Sequence, residues 1–179
     1  RDVIDTIPVG RPVSVERETF PQLLTGGATV MGYVDSAYWL DLGTPAAFVQ
    51  GSCDLVRGIA PSPALPGPIG DALVLAGATV AASAILSGGS CVSPGAVIGE
   101  DAVVDGCVVF DDAVVEAGAR LHASVVGRGA RIGAGVVLDG AVIGDGAVIG
   151  AGNELLTGVR VWPATVLAPG SVRFSSDAE

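Results

Sequence analysis

Along the second half of the chain an aliphatic residue recurs at 75, 80, 86, 92, 98, 104, 109, 115, 121, 126, 132, 138, 143, 149, 155, 161 and 167. Most steps are six residues and four are five. Glycine or another small or acidic residue often follows, as in Ile98-Gly99, Ile132-Gly133, Ile143-Gly144 and Ile149-Gly150. A small or β-branched residue often stands four places on, at Ala102, Val108, Ala119, Ala130, Val136 and Ala147. Three of the five-residue steps follow Val104, Leu121 and Leu138, which are 17 residues apart. With that period "VDGCVVFDDAVVEAGAR", "LHASVVGRGARIGAGVV" and "LDGAVIGDGAVIGAGNE" align as rows of three short units, and "LLTGVRVWPATVLAPGS" continues them.

Three short units per row describe a triangular prism. Each unit is a short strand and a corner, with the aliphatic side chain pointing inward and the small residue filling the space beside it. Gly, Asp and Asn suit the corners, where positive φ costs them little. Successive coils stack at strand spacing, about 4.8 Å. The pattern predicts a mainly β chain, a parallel β-helix of about five coils over 75–170 in which each coil touches only its neighbours. A helix would place apolar residues at i+3 and i+4 together, which this spacing does not do.

The first 58 residues have a different texture. "SVERETF" reads as a helix start, with Ser14 as N-cap and Glu16 and Glu18 in the first turn. "TPAAFVQGSCDLVRG" reads as a whole helix, capped by Thr44, opened by Pro45 and stopped by Gly58. "APSPALPGP" then reads as a proline-rich connector. The organisation expected is residues 1–58 as the end of an α/β domain, a linker over 59–70, the solenoid over 71–172 and a tail over 173–179. Some 58 residues bury only a small core alone, so they read as the end of something larger. The chain opens at Arg1, which fits a processed product or a piece of a longer protein.

Composition narrows the function. The net charge is −10 and all nine basic residues are arginine, which argues against nucleic acid and against an anionic membrane surface. No apolar run approaches the roughly 18 residues of a spanning helix. Cys53, Cys91 and Cys107 form no CxxC pair and read as reduced, buried or half-buried thiols of a cytoplasmic protein. The single histidine, His122, shares a column with Asp105, Asp139 and Leu156, so it reads as a solvated corner. An acyltransferase, whose chemistry needs a histidine base, is therefore disfavoured. A zinc site needing several histidines is disfavoured for the same reason. Arg120, Arg128 and Arg131 read as pairing with nearby acids. Trp162, with the prolines around it, reads as covering the end of the core or as a contact surface.

Two resemblances add to this. The repeat units resemble the hexapeptide repeat [LIV]-[GAED]-x-x-[STAV]-x of left-handed β-helices, which implies left-handed coils. Upstream, "GYVDSAYWLDLGTPAAFVQGSCDLV" and "VSVERETFPQLL" resemble the C-terminal end of the sugar-phosphate nucleotidyltransferase family, where a Gly-Tyr strand precedes Y-W-x-D-[LIM]-G-T-P and a helix. Together they cover roughly residues 8–58, and seven residues, "YWLDLGT", fit in order. A nucleotidyltransferase domain followed by a left-handed β-helix is the layout of mannose-1-phosphate guanylyltransferases, glucose-1-phosphate adenylyltransferases and bifunctional uridylyltransferases. The junction "DLVRGIAPSPALPG" is most similar to the guanylyltransferases.

The resemblance implies a substrate pair, a nucleoside triphosphate and a sugar 1-phosphate, with Mg²⁺ as cofactor. It implies that Asp41 is one of two aspartates holding that metal, with Trp39 and Gly43 shaping the pocket around it. It also implies a homo-oligomer. The family's G-x-G-x-R-L-x-P-L-T loop and E-K-P lysine are absent from the chain, which contains no lysine. The chain alone is therefore expected to be inactive. The alternatives are another sugar-1-phosphate nucleotidyltransferase, a hexapeptide acyltransferase, or a scaffold without catalysis.

Overall fold

In the computed structural model, which describes residues 1–65, 70–156 and 158–173, each repeat unit is a strand of two or three residues followed by a turn. Residues 66–69 of the expected connector and 174–179 of the expected tail lie outside the described residues. The described strands form three parallel sheets, of six, six and five strands. Sheet I runs Ala72–Val74, Ser90–Val92, Val108–Val109, Val125–Val126, Val142–Ile143, Arg160–Val161. Sheet II begins at Thr79–Val80 and ends at Val166–Leu167; sheet III begins at Ile85–Ser87 and ends at Glu154–Leu155. The result is a parallel β-solenoid of about six turns.

The register explains the repeat. Val92, Val109, Val126 and Ile143 stand in one column of sheet I, and Ile98, Val115, Ile132 and Ile149 in one column of sheet II. Val104, Leu121, Leu138 and Leu155 form the column of sheet III. All twelve are at most 1% exposed and make the core with Ala96, Ala102, Ala113, Ala119, Ala130 and Ala147. Glycines after the inward residues have a steric cause. A Cβ on Gly133 would lie 2.6 Å from the nitrogen of Ala151 in the next coil, and one on Gly150 would lie 2.5 Å from that of Pro169.

Two details differ from the sequence reading. Val74, not Leu75, pairs with Val92 and opens that column of sheet I, and the 17 strands among the described residues make about six turns where about five coils were expected. In the apolar run Leu73-Val74-Leu75 the pattern cannot fix which residue faces in, and a slip of one residue inverts the faces. Val108 faces outward, because it alternates with the inward Val109. At this tighter corner the inward small residue is Cys107 instead.

The chain divides into two compact units, residues 1–37 and 38–179. In the first, a short helix α1 (Asp2–Asp5) precedes a wide π-type turn, Val15–Thr19, that runs into α2 (Phe20–Thr25). The Arg17 amide donates to Ser14 Oγ at 3.2 Å, and Glu18 takes the Ser14 amide and the Arg11 guanidinium. Residues 28–43 contain no strand, so the expected Gly-Tyr strand is not formed. A strand needs a partner, and the described residues offer that segment none.

The second unit adds α3 (Pro45–Val56) to the solenoid. Its caps are those the sequence predicts: Thr44 Oγ1 accepts from the Ala47 amide, Pro45 opens the helix and Gly58 follows it at φ +73°. Val49 and Cys53 pack on the outward valines of sheet I, Val125 and Val142, while Phe48 stacks on Phe110 with ring centroids 6.3 Å apart. Parallel sheets are commonly covered on both faces, and α3 supplies that cover for sheet I.

Candidate functional site

The segment before α3 is extended, and its side chains alternate. The even-numbered residues turn toward the helix. Tyr38 Oη donates to Asp54 Oδ2 at 2.8 Å, and the leucines Leu40 and Leu42 lie against Gly51. A Cβ on Gly51 would come within 2.8 Å of Leu42 Cδ2 and 3.4 Å of Leu40 Cδ2, so glycine lets the loop lie this close. The odd-numbered residues Trp39, Asp41 and Gly43 are exposed, Trp39 at 82%. All three sequence-predicted site residues lie on this exposed segment leading into α3, with Asp41 and Gly43 in direct contact.

Asp41 Oδ1 accepts the Gly43 amide at 3.0 Å, an Asx turn that leads into the Thr44 cap. A Cβ on Gly43 would sit 3.3 Å from that carboxylate oxygen. Among the described residues no hydrogen bond reaches Asp41 Oδ2, and no group of three or more His, Cys, Asp or Glu is placed to hold a metal ion.

Sequence reasoning missed Asp54. It is 6% exposed, and its carboxylate takes Tyr38 Oη on one oxygen and Gln50 Nε2 on the other, both at 2.8 Å. The hydrogen bond to Asp54, then burial, raises the Tyr38 pKa, so the phenol remains a donor. The signal was an acid directly after Cys53 in the buried stripe of the helix, one turn from Gln50.

A concavity of about 400 Å³ runs between α3 and the corner joining sheets III and I. Gln50, Cys53 and Arg57 line one wall; Asp105, His122 and Gly140 line the other. None of Trp39, Asp41 and Gly43 lines it. His122 is exposed, as expected of a corner, but Nδ1 lies 2.9 Å from Asp105 Oδ2. Ser87 Oγ donates to the other oxygen at 2.7 Å. The Ser87 hydroxyl, followed by His122, holds the Asp105 carboxyl below its ordinary range.

Arg128 pairs with Asp111 at 3.0 Å and Arg131 with Glu116 at 3.7 Å, as the sequence suggests, whereas no ion pair of Arg120 is formed among the described residues. Trp162 does not cover the core end; it is 79% exposed. The three thiols are free, with Cys53 and Cys107 buried and Cys91 half-buried.

The fold and the repeat define a hexapeptide-type β-solenoid, whose sheet I carries the helix that follows a Y-W-L-D-L-G-T turn. Residues 68–168 match the family model described as the GMPPB C-terminal domain, and the chain belongs to that family. It is 56% identical, over 99% of its length, to the mannose-1-phosphate guanylyltransferase of Mycobacterium tuberculosis, and spans 50% of that relative. Over 51 residues it is 41% identical to the mannose-1-phosphate guanyltransferase of Yarrowia lipolytica. Among solved structures it is similar to a GDP-perosamine N-acetyltransferase mutant from Caulobacter crescentus, with 20% identity and a TM-score of 0.38 over 60% of this chain and 54% of that one. It also resembles the acetyltransferase domain of PglB from Neisseria gonorrhoeae, with 25% identity and a TM-score of 0.30 over 63% and 64% of the two chains. No helix among the described residues is long and apolar enough to cross a membrane.

Proposed function

We propose that the chain is the C-terminal half of an enzyme that joins GTP to mannose 1-phosphate, releasing GDP-mannose and pyrophosphate. The observation that carries this reading is the 56% identity to a mannose-1-phosphate guanylyltransferase across nearly the whole chain. The reaction is a substitution at phosphorus. A phosphate oxygen of the sugar phosphate bonds to the α-phosphorus, the bond to the β-phosphate oxygen breaks, and pyrophosphate leaves with its electron pair.

On this reading Asp41 contributes one ligand to Mg²⁺, a hard cation that takes carboxylate and phosphate oxygens. Its carboxylate suits that task, with one oxygen fixed by the Gly43 amide and the other open. Bound there, the metal would neutralise phosphate charge. Trp39 shares the outward side of the turn and would wall the pocket. The large exposed apolar side chains Met31, Tyr33 and Val34 of the first unit, and separately Trp39 of the second, support a cover by further protein, such as the rest of a catalytic domain. The cytoplasm and a homo-oligomer complete the proposal; the reduced thiols suit the first and sedimentation tests the second.

The test compares two proteins, the full-length enzyme and residues 1–179 alone. Release of pyrophosphate from GTP and mannose 1-phosphate by the full-length protein, lost in Asp41→Asn, is expected. The short chain is expected to be silent because it has no lysine for the triphosphate. Turnover by the short chain would reject the assignment of the chemistry upstream, and a full-length protein indifferent to both substrates would reject the reading as a whole.

A further inference from the structure

We propose that Asp54 is a positioning residue for the turn that presents Asp41, and that the solenoid is the base on which this positioning rests. The inference builds on the role given to Asp41 above. Asp54 is a buried acid, 6% exposed, held between two more exposed partners, and it does not line the concavity beside α3. Burying a carboxylate is costly unless its oxygens are satisfied. Here each oxygen has one donor, Tyr38 Oη from the turn and Gln50 Nε2 from the helix. The bond to Tyr38 ties the start of the 38–44 segment to the third turn of α3.

The other ties follow the same line. Leu40 and Leu42 rest on Gly51, and Thr44 caps the helix. Asp41 is thereby bracketed by residues that are each fixed to α3, while its own side chain faces away. Next to Asp54, Cys53 presses on the first coils: a Cβ on Gly89 would lie 2.7 to 2.9 Å from Cys53 backbone and side-chain atoms. Phe48 on Phe110 and Val49 beside Val125 hold the N-terminal half of the helix to later coils. The ties run from the residues flanking Asp41, Tyr38 and Leu40 before it and Leu42 and Thr44 after it, to α3 and from α3 to the solenoid wall, so the solenoid would hold the metal ligand as well as packing the helix.

The experiment uses the full-length protein and the variants Tyr38→Phe, Asp54→Asn, both together, and Asp41→Asn. Two readouts are taken: amide hydrogen exchange of Gly43, whose N–H is held by Asp41 Oδ1, without ligand, and the Mg²⁺ concentration for half-maximal turnover. Losing one hydrogen bond to a charged group is expected to raise both by about tenfold. The KM for the sugar phosphate should stay near wild type, while the melting temperature falls by no more than the lost hydrogen bond accounts for. The double variant should be no worse than the worse single one. Unchanged exchange and unchanged Mg²⁺ dependence in Tyr38→Phe would overturn the inference, and that variant serves if Asp54→Asn does not fold. A fall in melting temperature with both readouts unmoved would also overturn it, because that is a structural role only. If Asp41→Asn keeps its Mg²⁺ dependence, the metal role of Asp41 fails; the exchange readout then decides the positioning alone.

Discussion

At the scale of single residues, the solenoid interior is almost wholly aliphatic, so its few polar or strained positions stand out. Asn153 is 0% exposed where other coils carry Ala119 or Val136. Its amide donates to the Gly150 and Ala168 carbonyls, and its oxygen accepts from the Val172 amide and the Ser171 hydroxyl. It ties the last coil to the one before. Asn153→Ala strands several of these groups, and urea unfolding should show a loss of about 2–4 kcal/mol. Ala123 is a second such position. It holds φ +45° at the corner where neighbouring coils place Gly106 and Gly140 at about +60°. A Cβ in the left-handed region costs about 1 kcal/mol. Ala123→Gly should therefore raise stability by up to about 1 kcal/mol in the same measurement, less the entropy glycine returns to the unfolded chain.

At the scale of elements, the corner between sheets III and I explains the five-residue step. The turn there is one residue short, and inward side chains satisfy amides that strands would otherwise pair. Ser90 Oγ accepts the Cys107 amide, Cys107 Sγ the Ser124 amide, and Ser124 Oγ the Ala141 amide, each about one coil apart. Each side chain also donates to a nearby carbonyl, of Ser87 or Val104, Asp105 and His122 in turn. Cys107 is thus a hydrogen-bonding rung. Cys107→Ser should stay within about 1 kcal/mol of wild type, whereas Cys107→Val should lose about 2–3 kcal/mol by orphaning the Ser124 amide. Thermal melts of the two variants separate this account from simple packing, which would favour valine. The period that placed the tight corner was readable in the sequence, because three five-residue steps repeat every 17 residues. The rung itself was not, since a Ser-Cys-Ser column looks like small filler until the amides it meets are in place. The candidate site divides the same way. Asp41 and its neighbours announced themselves through a local motif, but Asp54 acts across 16 residues, by a contact that only the docked helix creates.

At the scale of the whole molecule, the three thiols make stability depend on alkaline pH. Burial pushes the Cys107 thiol up to about 12 and is also the leading cause that raises Cys53 and Cys91. In the unfolded chain a thiol ionises near 8.5. Below that pH both states hold the proton, and the thiols contribute no pH dependence. Above it the unfolded chain gives up protons that the folded chain keeps. The folded state then binds more protons, so stability falls as pH rises, by at most about 1.4 kcal/mol per pH unit for each thiol that stays neutral. The decline should start near pH 8.5 and, for Cys107, continue toward 12. Because each coil rests only on its neighbours, the loss centres on the coils around Cys91 and Cys107, where α3 also docks. Melting temperatures between pH 7 and 10.5 should fall in the wild type and fall less steeply in Cys107→Ser, which keeps the rung but cannot ionise. An equal slope in both proteins would mean that Cys107 titrates in the folded state, against the burial seen here. A shallower slope would show that the folded solenoid holds the Cys107 proton that the unfolded chain gives up.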